Sequence, residues 1–93
     1  MTYQSLRLYQ TRVSEKPMDK WRLKTATALL DGKCFSISQI KSVVKMFEYA
    51  DIKADYLIAV YPYIFNQDDF KDVLHYIRNK DEKARVIATL NIE

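Results

Sequence analysis

Asp68, Asp72 and His75 stand at i, i+4 and i+7, so a helix running through them would set two carboxylates and the chain's single imidazole on one face. That is a donor set able to hold a divalent metal, but a protein metal site takes about four ligands with a supporting shell, and no neighbouring residue is committed to supplying the rest. A solvated acidic first turn with a surface histidine is the plainer reading, and no metal is expected. Asp72 and His75 as an acid/base pair would need a nucleophile and a pocket, and neither is visible. The only thiol, Cys34, lies two residues ahead of Ser36, where amides at a helix start could activate it. A buried or idle thiol is the better reading. No phosphate-cradling glycine loop, zinc ribbon, dinucleotide turn or basic recognition helix occurs, so the chain is expected to be no enzyme and to carry no cofactor.

The residues better suited to chemistry are those that bind. Seven tyrosines among 93 residues is a high count, and tyrosine is favoured where one end of a ring is apolar and the other wet. Tyr3, Arg7, Tyr9 and Arg12, followed by Lys20, Trp21 and Lys24, interleave aromatic rings with cations and form the candidate partner-binding surface. Such a mixture suits an acidic groove, a phosphate backbone or an anionic surface. Trp21 is more often a core residue than a contact. The net charge of +3 is unevenly spread: residues 1–34 hold seven Lys/Arg against three Asp/Glu, and residues 35–93 hold eight against nine. The basic excess therefore lies in the first third.

Positioning those residues falls to helices. With 48% apolar and 29% charged residues the chain has the balance of a folded domain, and at this length it forms one, with room for one core. One glycine and two prolines are too few for a hairpin-rich sheet protein. The expected class is all-α. Residues 35–54 and 65–84 are identical at six of twenty positions (Phe35/Phe65, Lys41/Lys71, Val43/Val73, Asp51/Asp81, Lys53/Lys83, Ala54/Ala84), where chance gives about one. This internal repeat of about 30 residues divides the single domain 1–93 into an N-terminal segment 1–17, a degenerate half-unit 19–34, repeat one at 35–64 and repeat two at 65–93. The expected architecture is a compact stack of about three helical hairpins, five to six short helices in all.

Local signals mark the ends. Ser36 with Gln39 is a capping box and Phe35 with Ile40 a hydrophobic staple; Asn66 as cap with Phe65 and Phe70 as staple would repeat the device. Phe35 and Phe65 should then occupy like environments. Asp51 and Asp81 stand where they could cap the second helix of each repeat. Tyr56 to Tyr61 is apolar nearly all round, which places that helix at the centre, and Pro62 should end it. Ala84, Ile87 and Leu90 form the inner face of a half-exposed last helix. Asp19 to Asp31 reads as a helix stopped by Gly32, with Leu23, Ala26, Thr27 and Leu30 on one face. Leu6, Tyr9 and Val13 suit a helix over residues 3–13, while Tyr9, Thr11 and Val13 also suit a strand.

Met46-Phe47-Glu48-Tyr49 followed by Asp51-Ile52-Lys53-Ala54, then Tyr61, Asp68 and Phe70, resembles the core pattern of an all-helical domain of unknown function found in bacterial proteins, often exported, and in some animal proteins. The resemblance runs from about residue 5 to residue 80, with Pro62 as a departure. It implies related helical half-units and brings no catalytic residues. No apolar run is long enough to span a membrane and no signal peptide is present, so the chain reads as soluble, and as cytoplasmic by default unless it is part of an exported protein. The functional expectation is a non-catalytic helical protein–protein interaction module. Its partner would be another protein or a second copy, with binding of a nucleic acid or other polyanion as the alternative.

Overall fold

Thr2 opens the first helix by accepting the Ser5 N–H on its side chain, and Leu6, Tyr9 and Val13, spaced three and four apart, turn one face inward. In the computed structural model, which describes residues 1–92, this helix is α1 (Tyr3–Ser14). It is followed by α2 (Asp19–Ala28), α3 (Ile37–Val44), α4 (Ala50–Val60), α5 (Lys71–Leu74) and α6 (Lys80–Leu90), with short 3-10 turns at Tyr61–Tyr63 and Gln67–Asp69. The all-α expectation holds.

The second helices α2, α4 and α6 lie side by side, with α4 packed against both neighbours. On the other side α3 packs on α5, and Gln10 Nε2 of α1 donates to Ser42 Oγ of α3 at 3.1 Å. The molecule measures 32 × 28 × 18 Å, a slab two helices deep. Ala54, Tyr56, Leu57 and Val60 of α4 are buried at its centre, as the all-round apolar sequence of that helix requires. Pro62 ends it in a 3-10 turn, lacking the N–H that would continue the ladder.

The capping box of α3 is present, with Gln39 N–H donating to Ser36 Oγ and Ser36 N–H to Gln39 Oε1. Its counterpart is not. Asn66 caps no helix of its own; its Oδ1 accepts the Ile37 N–H at 3.0 Å and so serves the start of α3. Phe35 and Phe65 stand in unlike places, fully buried against 66% exposed. The reason lies in the backbone. The Phe35 N–H donates to the Tyr63 carbonyl and the Phe35 carbonyl accepts from the Phe65 N–H, an isolated parallel bridge that sets Phe35 against Ile64. Ile64 is buried, and the next residue along extended chain points the opposite way.

Other expectations shift by a few residues. Asp51 and Asp81 sit inside the first turns of α4 and α6; the cap of α6 is Asn79, whose side chain accepts from the Asp81 and Glu82 amides, and that of α4 is Tyr49, without a side-chain bond. Val86 is the buried residue of α6, and Ala84 is exposed where Ala54 is buried. Helix α2 stops at Ala28 rather than Asp31, and Gly32 takes a left-handed turn at φ +74° that leads into Phe35. The apolar pattern at Ile40/Phe70, Val43/Val73, Val44/Leu74 and Phe47/Ile77 is buried in both segments. With Phe35/Phe65 and Ala54/Ala84 in different surroundings, the internal repeat is not established by the fold.

Candidate functional site

The N-terminal hairpin carries the candidate surface. Residues Leu6, Tyr9 and Val13 occupy the inner face of α1, so Tyr3, Arg7, Leu8 and Arg12 are left outside. Tyr3 and Leu8 are each 69% exposed, and Arg7 Nη1 donates to Tyr3 Oη at 3.1 Å with its guanidinium 5.8 Å from the ring centre. On α2, Trp21 is 45% exposed, outside the core, and the Lys24 ammonium lies 5.3 Å from its ring centre. Between the two helices runs a seam of two adjoining cavities. One of about 180 Å³ includes Leu8, Arg12, Leu29 and Lys33; the other, about 470 Å³, includes Arg12, Lys16, Trp21, Lys24 and Leu29. Arg12 and Leu29 line both.

Tyr9 belongs elsewhere. Its ring is buried against Phe35, edge to face at 5.3 Å, and its hydroxyl donates to the Ala26 carbonyl at 2.8 Å. Since that hydrogen bond uses its one proton, the Tyr56 hydroxyl at 3.1 Å must be the donor to Tyr9. Burial pushes the Tyr9 phenol up to about 12, the Tyr56 bond opposing, and holds Tyr56 well above its ordinary value. The pair ties α1, α2 and α4 together, so Tyr9 positions the candidate surface from within and has no face left for a partner. Its place on the Leu6–Val13 stripe is the sequence signal for this. Leu8, Lys16, Leu29 and Lys33 are the surface residues that sequence reasoning missed; Leu8 could have been found as the apolar residue of α1 lying off that stripe.

Lys20 faces away, into a cavity of about 420 Å³ with Met18, Arg22, Tyr49 and Ile52. Beneath that cavity Asp19 Oδ2 accepts the Glu48 and Tyr49 amides at 2.7 and 2.8 Å, while Arg22 donates to the Lys16 and Met46 carbonyls. These contacts fix the joint between α3 and α4.

The three residues first considered for a metal are not gathered into a site. Asp68 falls in a 3-10 turn and α5 is four residues long, so no continuous helix face carries Asp68, Asp72 and His75. Among the described residues no three of His, Cys, Asp and Glu gather at metal-binding range. Cys34 is exposed and free. The ion pairs among the described residues are those of Arg85 with Asp55 and Glu82; the cations of the α1–α2 seam make none, and Glu15 is the one carboxylate that lines the larger cavity with them.

Fold and surface together define a small all-helical domain whose most distinctive exterior is a basic, aromatic seam. The chain belongs to the family described as a domain of unknown function (DUF4476), whose model matches residues 1–90. No curated protein and no solved structure matches it. No helix of the described residues is long and apolar enough to cross a membrane.

Proposed function

We propose that this domain is a non-catalytic interaction module that binds an acidic protein surface along the outer face of α1 and α2. The observation that supports this is the seam itself, in which Leu8, Trp21 and Leu29 offer apolar contact and Arg12, Lys16, Lys24 and Lys33 stand around them without ion-pair partners. Unpaired cations around exposed apolar side chains lower the free energy of a complex more than that of the free domain, because the partner's carboxylates supply what the domain lacks.

A pull-down comparing the folded domain with a variant carrying Arg7→Glu, Arg12→Glu and Lys24→Glu tests the assignment. Each reversal removes two units of positive charge, so three take the net charge from +3 to −3. The wild type should retain a partner that the variant loses; retention by both would move the binding face elsewhere. The stacked Lys24–Trp21 and Arg7–Tyr3 pairs also suit a polyanion. That second reading requires retention on heparin that collapses as salt rises, and absence of retention at low salt removes it.

A further inference from the structure

Phe65 is the one phenylalanine of four outside the core, two-thirds exposed and held in place by its backbone bond to Phe35. It has no polar atom to reward contact with water. Asp68, Asp69 and Asp72 follow within seven residues, all exposed and free of ion pairs among the described residues, with Lys71 between them as the one cation of the stretch. The chain thus presents an apolar knob followed along the sequence by a net acidic stretch, and on the α1–α2 face an apolar seam with a net excess of cations. We infer that the partner is a second copy, with Phe65 of one chain seated over Leu8, Trp21 and Leu29 of another and Asp68, Asp69 and Asp72 meeting Arg12, Lys16 and Lys24. This inference rests on the reading of the α1–α2 face given above and adds the identity of its occupant. Complementary charge and an aromatic anchor are what a self-recognising pair of faces needs, and because the two faces differ, contacts can be reciprocal or run head to tail.

Sedimentation velocity of the whole chain at low salt, from about 10 µM to about 1 mM, where contacts of this kind become populated, decides it. The sedimentation coefficient should rise with concentration and the rise should be suppressed at high salt. Phe65→Ser should weaken association at least about tenfold, as loss of a central aromatic anchor does. Arg12→Glu with Lys24→Glu should do the same. All three positions are exposed, so both variants should keep the wild-type thermal melt. The decisive arm mixes them. Each supplies the face the other lacks, so an equimolar mixture should regain a one-to-one complex that neither forms alone. A strict monomer across the range, association indifferent to both variants, or a mixture that stays monomeric overturns the inference. A monomer that still loses its pull-down partner on charge reversal would separate this failure from failure of the α1–α2 reading.

Discussion

One carboxylate oxygen of Asp19 receives the amides of both Glu48 and Tyr49, and the side chain is the one charged group buried among the described residues. A buried carboxylate with two short N–H donors is stabilising only while both bonds hold, and removing it takes from the Glu48 and Tyr49 amides the protein acceptor that fixes the turn. Asp19→Ala is therefore expected to cost about 2–4 kcal/mol in urea unfolding, and Asp19→Asn, which keeps an acceptor but not the charge, about half as much. The tyrosine pair acts at the other end of the pH scale. Both phenols are raised in the folded state, so the protonated form is bound more tightly there than in the unfolded chain. Their contribution is fully present below pH 10, the ordinary phenol value, and is lost as pH climbs from there through about 12 for Tyr9. Urea midpoints should hold level up to pH 9 and fall steeply above 10, and Tyr56→Phe should flatten that alkaline limb by removing one of the two coupled protons.

Elements whose ends are chosen by local chemistry were readable in advance, as the capping box of α3 and the proline stop of α4 show. Elements whose ends are chosen across the molecule were not. Asn66 was expected to cap the helix that follows it, yet its carbonyl oxygen turns to Ile37 because the Phe35–Ile64 bridge brings the two segments together. A pattern of identities along a chain cannot reveal a bridge that slips the pairing by one residue, and that slip alone sends Phe65 outward. The candidate surface was legible in part: Tyr3, Arg7, Arg12 and Lys24 are exposed, Trp21 is exposed although a core position was the more frequent reading, and Tyr9 was hidden by a hydrogen bond to α2 that no spacing encodes. Asn66→Ala tests the cross-molecular cap. It should lower stability by about 1 kcal/mol through the start of α3, the usual cost of a lost cap. Amide exchange should quicken at Ile37 while the amides of α6, capped by Asn79, stay protected.

At the scale of the whole molecule, the residues that hold the fold together and the proposed recognition face lie in different places. Helix α4 touches both α2 and α6, so its buried side chains join all parts of the slab, while the outer face of α1 and α2 contributes exposed groups whose like charges repel one another. Leu57, fully buried at the centre, is expected on truncation to alanine to cost about 2–5 kcal/mol and to lower every local unfolding free energy together, because no half of so small a slab retains a core of its own. Lys24→Glu should leave the fold nearly untouched: relief of repulsion from Arg12 and Lys16 is offset by the lost contact with the Trp21 ring and a new neighbour for Glu15, so thermal unfolding should be unchanged while partner binding is lost. Calorimetric scans of the two variants beside a binding assay make the comparison. A Lys24→Glu domain that melted markedly earlier would mean that the seam's cations support the fold, and binding losses from charge reversal there would then have to be read as unfolding.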